Sequence, residues 1–328
     1  MQVASYLPTR NLALELIRVT EAAAISAARE QGRGDKIAVD QAAVDAMRQV
    51  LSRTDMDGVV VIGEGEKDEA PMLYNGEQVG NGHPPRVDVA VDPVDGTTLT
   101  AEGREGALAV IAVAEQGSMY APGSLVYMDK IAVGPEAAGT IDINAPVRFN
   151  LEQVAKSVGK EINELTAIIL DRPRNQDYIK QVREAGARIS LIGDGDIQAA
   201  ISTCIHGNGI DIMLGIGGSP EAVTTACAMA ALRGEIQCKL WPRDDAERIY
   251  ANENGLDLEQ VLTTRDLVDS DHTFFAATGV TTGPLLKGVR FGSDHTATHS
   301  VVMRSESGTI RFVEAHHRVE WVEGEIKP

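Results

Sequence analysis

The chain has 328 residues, 43% of them hydrophobic, which is enough for a large core and for two domains or one large one. Its 30 basic residues stand against 48 acidic ones, a formal net charge of −18 that makes nucleic acid and anionic membranes poor partners. No apolar run nears the roughly 20 residues of a membrane span, Met1–Ser5 lacks the basic and apolar regions of a signal peptide, and Cys204, Cys227 and Cys238 form no CxxC pair or zinc spacing, so reduced thiols in a cytoplasmic protein are expected.

In chain order, Leu12, Leu16, Val19 and Ala23 recur at helical spacing and predict a helix over 9–31. Gly32-Arg33-Gly34-Asp35-Lys36 breaks it. A second helix runs to about Arg53 on the stripe Val39, Ala43, Met47 and Val50 or Leu51. Asp40 lies in its first turns, either as a helix-start charge or pointing into a site at the helix tip. Val59–Ile62 reads as a short buried strand running into Gly63-Glu64-Gly65-Glu66-Lys67-Asp68-Glu69. For Asp68 and Glu69 an exposed acidic turn is the simpler reading; Glu64 sits between glycines that let backbone approach a ligand.

Val87–Val91 reads as a buried strand that Pro93 ends, since proline cannot donate to a sheet ladder. Asp92 and Asp95 then stand three residues apart, followed by Gly96-Thr97-Thr98 and its free N–H groups. Clustered carboxylates beside an anion cradle suggest a divalent metal holding a phosphate; an Asp-Pro turn with a capping Asp is the plain alternative. Strands delivering carboxylates in parallel from Ile62 and Val91 would build a site. Gly106–Glu115 and Val126–Val133, with Tyr127, read as further strands. Turn-like Asp142–Pro146 puts an expected domain boundary near 147: 1–147 would be a helix-pair and sheet domain with most metal ligands, and 148–328 an α/β domain completing the site.

The second half alternates helix and strand, as in a parallel or mixed sheet. Helices are expected at 151–158, 175–185 and 197–204. Strands are expected at Thr166–Leu170, Arg188–Ile192 and Gly209–Leu214, handing over to Asp171-Arg172-Pro173-Arg174, Asp194-Gly195-Asp196 and Gly215-Ile216-Gly217-Gly218-Ser219-Pro220-Glu221. Arg172 and Arg174 are either surface charges or anion ligands, and Glu221 either a helix-start acid or a site residue. Phe274–Gly279 reads as a strand, and Val301–Arg304 with Ile310–Val313 as a hairpin. His295, His299, His316 and His317 fit no zinc pattern and read as polar surface.

The order GEGE, DPVDGT, then GGSPE resembles the lithium-sensitive, metal-dependent sugar and inositol phosphatases. The run Val61–Tyr74, with Gly32–Lys36, Tyr127-Met128, Asp171–Arg174, Asp194–Asp196 and Gly215–Glu221, is similar to the class II, GlpX-type fructose-1,6-bisphosphatases. The resemblance covers nearly the whole chain. It implies an α/β fold, α+β in part, as a layered α-β-α-β-α sandwich, usually homo-oligomeric (dimer or tetramer). It also implies hydrolysis of the 1-phosphate of fructose 1,6-bisphosphate with Mg2+ or Mn2+, in gluconeogenesis. Asp40, Glu64, Asp92, Asp95 and Glu221 would be metal carboxylates, with Asp95-Gly96-Thr97 under the phosphate to be cleaved. Some members carry Glu where this chain has Asp95, and the broader superfamily supplies the last ligand as an Asp near a Trp, where this chain has Glu221. Thr97 would orient the attacking water with Asp40 polarising its hydroxyl, Glu64 joining them in catalysis. Tyr127, Arg172-Pro173-Arg174, Asp194-Gly195-Asp196 and Gly218 would hold the sugar and the other phosphate. A sedoheptulose-1,7-bisphosphatase or dual-substrate enzyme is the nearest alternative; a non-catalytic phosphosugar-binding regulator is a more distant one.

Overall fold

The computed structural model describes residues 12–63 and 73–318. Two compact units result, one from Met1–Gly117 with His272–Pro328, the other from Ser118–Asp271. This division differs from a single cut near residue 147. The physical reason is the chain's return after residue 271, which adds its last strands to the first sheet.

The first unit opens with α1 (Leu12–Arg29) and α2 (Lys36–Leu51). Asp35 caps α2 by accepting from the Ala38 N–H at 3.0 Å, so Asp40 stands a full turn inside the helix rather than at its start. The strands β1 (Asp57–Ile62), β2 (Gln78–Val79) and β3 (Arg86–Asp95), the short helix α3 (Thr97–Ala101) and β4 (Leu108–Glu115) follow. β1 and β3 are parallel, with Ile62 opposite Ala90. Both faces of β3 and β4 are buried along nearly their whole length; β4 accordingly reads as an apolar run up to Glu115, while β3 buries Asp88 among its valines. Strand β3 does not end at Pro93; it continues to Asp95.

The second unit holds β5 (Tyr127–Val133), α4 (Val147–Val158), β6 (Thr166–Leu170), α5 (Gln176–Ala185), β7 (Arg188–Ile192) and α6 (Asp196–Ser202). It continues with β8 (Ile212–Gly218), α7 (Ser219–Leu232), β9 (Glu235–Leu240), α8 (Asp245–Glu253), β10 (Leu262–Thr263) and α9 (Thr264–Leu267). The sheet order is β10-β9-β5-β8-β6-β7. β6 runs parallel to both β7 and β8, while β5 is antiparallel to β8. The expected strand over Gly209–Leu214 is shifted: β8 runs through Gly215, Ile216 and Gly217 to Gly218, paired with Lys130 back to Tyr127. The glycine run is therefore sheet, not loop. Its core joins Ile131, Val133, Leu151, Val154, Ile169, Val182 and Leu214.

The returning segment supplies β11 (Phe274–Gly279), β12 (Arg290–Phe291), β13 (His295–Arg304) and β14 (Thr309–Arg318). β11 lies antiparallel between β4 and β13, and β13 and β14 form the expected hairpin, longer than its apolar residues alone suggest. The described helices and mixed sheets make this an α/β protein, as expected. The core of the first unit joins Leu16, Val19 and Ala23 of α1 and Met47 of α2 to Val89, Ile111, Phe274 and Val302 of the sheet.

Candidate active site

In the first unit the carboxylates are placed by an irregularity of β3. Asp92 lies opposite Val110 and Asp95 opposite Leu108, so Pro93 and Val94 together face the single residue Ala109. That is a β-bulge. Residues three apart on a regular strand point to opposite faces. The bulge restores an even count, because Val110 and Leu108 are two apart, and both Asp92 and Asp95 fall on one face. Proline is tolerated here because the ladder is already interrupted. The Asp92 carboxylate closes the bulge, accepting from the Val94 N–H at 3.1 Å. Asp95 is 5% exposed.

Gly96, left-handed at φ 94°, turns the chain from β3 into α3, whose first residue is Thr97. The Thr97 hydroxyl donates to Asp40 Oδ1 at 2.7 Å, closer than to the Val94 carbonyl at 3.1 Å. The Gly32–Lys36 break explains how α2 is held there. Gly32 N–H and Gly34 N–H donate to the carbonyls of Thr100 and Ala101 at 2.9 and 2.8 Å, pinning the start of α2 to α3. Burial raises the Asp40 carboxyl above its ordinary range, opposed by the Thr97 hydroxyl and Lys36. Glu64 lies outside the described residues. Its neighbour Gly63 has no room for a side chain, since a Cβ there would stand 1.9 Å from the Leu73 carbonyl. That glycine therefore serves a close chain-to-chain approach.

The second unit gathers its predicted residues at the carboxyl ends of its parallel strands, where the amino end of β5 also lies. On one side of the sheet, the Arg174 guanidinium sits 4.3 Å from the centroid of the Tyr127 ring and donates through Nε to the Ile216 carbonyl at 3.0 Å. Pro173 opens the 3-10 turn that carries Arg174, and Arg172 approaches Asp194 at 3.8 Å. Next to it, Asn175 is fully buried. Its amide donates to the carbonyls of Leu170 and Ile216 and accepts from the Ile216 N–H at 2.7 Å. β6 and β8 pair only at Ala167–Ile212 and Ile168–Met213, so Asn175 bridges the strands where they have parted.

On the other side, Lys130 is 1% exposed and donates to Asp196 Oδ2 at 2.7 Å. Burial alone would depress the ammonium's pKa; Asp196 and Glu221 outweigh it, and the pKa rises. Glu221 lies in the first turn of α7 and folds back over Gly218, where a Cβ would overlap its Oε2 at 1.7 Å. A Cβ on Gly217 would likewise meet Asp196 Oδ2 at 1.9 Å. The paired glycines thus make room for two carboxylates. Glu221 Oε2 is shut off from solvent and receives no hydrogen bond, and burial, then Asp196, push the carboxyl up to about 7 against the pull of Lys130.

An acceptor of this kind fits a hard divalent cation, and so does a donor set made wholly of carboxylates. Among the described residues, however, no group of three or more His, Cys, Asp or Glu side chains closes on one point, the four tail histidines included. Within the first unit, Asp40, Asp92 and Asp95 form no such group.

Comparison with known proteins decides the family. Residues 10–317 match the family described as bacterial fructose-1,6-bisphosphatase, glpX-encoded. The chain belongs to this family. It is 42% identical over 332 residues to fructose-1,6-bisphosphatase 1 class 2 of Escherichia coli (strain K12), covering 97% of this chain and 98% of the relative. The class 2 fructose-1,6-bisphosphatases of Escherichia coli O6:H1 and Shigella flexneri match to the same extent. As a member of this phosphatase family the chain is a hydrolase. Two residues of its second unit escaped the sequence reading: Lys130 and Asn175. A signal existed only for Lys130, which together with Asp129 interrupts the otherwise mostly apolar strand Val126–Val133.

Proposed function

We propose that this chain hydrolyses the 1-phosphate of fructose 1,6-bisphosphate, yielding fructose 6-phosphate and phosphate, in gluconeogenesis. The match to the glpX-encoded family across residues 10–317 carries this reading. A divalent metal goes with that family; Mg2+ or Mn2+ is our proposal for its identity, with Asp40, Glu64, Asp92, Asp95 and Glu221 as the residues that hold it. When bound, such a cation neutralises charge on the phosphoryl oxygens and acidifies water.

The chain's own groups then have distinct tasks. The phosphate to be cleaved rests on Asp95-Gly96-Thr97. The Thr97 hydroxyl donates its hydrogen bond to Asp40, which leaves its oxygen lone pairs to orient the attacking water. As the attacking water loses its proton to the Thr97 oxygen, the Thr97 proton passes to the Asp40 carboxylate. Asp194-Gly195-Asp196 and Gly218 accept the sugar, with Lys130 keeping Asp196 oriented. Arg172, Pro173, Arg174 and Tyr127 take the phosphate that stays. Positioning and charge neutralisation are most of what phosphoryl transfer requires.

No helix among the described residues is long and apolar enough to cross a membrane. A cytoplasmic homo-oligomer, dimer or tetramer, acting on a small sugar bisphosphate is the setting we propose. The test is phosphate release from fructose 1,6-bisphosphate, sedoheptulose 1,7-bisphosphate, fructose 1-phosphate and inositol monophosphate, with Mg2+, with Mn2+ and with excess chelator. Activity led by fructose 1,6-bisphosphate and abolished by chelator is expected. Full activity in chelator, or no release from any bisphosphate, refutes the reading.

A further inference from the structure

Tyr127 has a second arginine beside it. The loop after β9 leaves the sheet at this ring: Trp241 N–H donates to the Tyr127 carbonyl at 3.0 Å, and the Trp241 ring meets Tyr127 edge-on at 6.2 Å. Two residues on, the Arg243 guanidinium lies 6.0 Å from the Tyr127 centroid. Arg174 is 4.3 Å from the same centroid. In a chain of net charge −18, two guanidinium groups converge on one aromatic ring.

Arg243 is also held in place. Glu247 is 8% exposed. One of its oxygens accepts from Nε of Arg243 at 2.6 Å and forms an ion pair with Nη2, and the other accepts from the Arg243 backbone N–H at 2.7 Å. Glu247 is itself fixed at the start of α8, where its N–H donates to the capping Asp244 at 2.9 Å. One buried carboxylate thus sets both the backbone and the side chain of an arginine that remains half exposed. An arginine presented in this way keeps N–H donors in a planar fork, the geometry that matches phosphate oxygens.

We infer that Arg243 is a binding residue for the phosphate that is not cleaved, joining Arg174 across Tyr127, and that Glu247 aims it. The inference rests on the bisphosphatase reading above. It also explains why a stretch outside every recognised motif is packed against Tyr127: the loop from Trp241 to Asp244 closes the anion subsite from the side opposite β6 in the sheet order. An arginine that only braced the first turn of α8 would have no bearing on substrate.

The experiment compares fructose 1,6-bisphosphate with fructose 1-phosphate, which lacks the second phosphate, for the full-length enzyme and its Arg174→Ala, Arg243→Ala, Arg243→Lys and Glu247→Gln variants. Arg243→Ala is expected to raise KM for the bisphosphate about 10-fold to 10²-fold, the scale of one lost charge-assisted contact, with kcat within about 2-fold. Fructose 1-phosphate should be turned over unchanged. Arg243→Lys should recover only part of the loss, and Glu247→Gln should shift KM in the same direction by less. A selective loss in Arg174→Ala with none in Arg243→Ala overturns this inference and leaves the bisphosphatase reading standing. Equal losses on both substrates in Arg243→Ala make it a scaffold residue and overturn the inference too. A parent enzyme that releases no phosphate from the bisphosphate overturns both.

Discussion

Replacing Asn175 by alanine tests whether the fork between β6 and β8 is built by one side chain. Three hydrogen bonds disappear, but their loss is unequal. The Leu170 carbonyl keeps the Arg172 N–H at 2.9 Å, and the Ile216 carbonyl keeps Arg174 Nε at 3.0 Å. Only the Ile216 N–H, which points to Asn175 Oδ1 at 2.7 Å, loses this partner in a fully buried setting. One orphaned buried donor costs about 1–3 kcal/mol. With the packing lost on truncation, the total is about 2–4 kcal/mol. At roughly 2–4 °C per kcal/mol for a unit of this size, melting should fall by about 4–16 °C. Asn175→Asp keeps the acceptor but replaces the amide donor by an oxygen facing two carbonyls, so it should melt no higher than the alanine variant. The assay is thermal unfolding by circular dichroism in excess chelator. A loss below about 1 kcal/mol, or an aspartate variant as stable as the parent, refutes the account.

Three further outcomes follow from the second unit. Lys130→Met leaves Asp196 as a buried charge without its cation and should cost about 3–5 kcal/mol, most of it regained in Lys130→Met/Asp196→Leu, as urea titration will show. Failure of the double variant to recover would mean that lost packing, not the stranded charge, accounts for the damage. Gly218→Ala puts a methyl on the Glu221 carboxylate and should lower phosphatase activity at least about 10-fold and raise the metal concentration it needs; unchanged metal dependence would separate Glu221 from the metal site. Burial pushes the Cys204 and Cys238 thiols up to about 12, so the thiolate is suppressed at every lower pH. Iodoacetamide at pH 8 should label both about 10³-fold more slowly than a free thiol, with the rate rising about tenfold per pH unit; fast labelling of the folded protein contradicts the placement of the half-buried Cys204 or the buried Cys238.

Much of this protein is written locally. Thr166–Leu170 and Arg188–Ile192 are strands with the bounds their apolar runs predict, and the helices at 12–29 and 36–51 follow their apolar stripes, the second capped by Asp35. Periodicity is a property of the segment itself, so one sequence suffices to read it. The motifs were equally legible, because DPVDGT and GGSPE carry their chemistry in consecutive residues. What tertiary structure alone decided is which residues meet. Pro93 looked like a strand end, and only pairing with β4 shows that it sits in a bulge bringing Asp92 and Asp95 to one face. The Gly215–Gly218 run looked like a loop, and only the side chains packed on Gly217 and Gly218 show why a strand there has none of its own. The domain boundary was misplaced because β11 pairs with β4 across more than 150 residues of sequence. Lys130, Asn175 and Arg243 lie in no motif, and their partners stand 66, 41 and 116 residues away, at Asp196, Ile216 and Tyr127. Local propensity acts within a few residues of chain, whereas bulge register, close approach to glycine and burial of a charge depend on the neighbouring strand or helix, which no window of sequence contains.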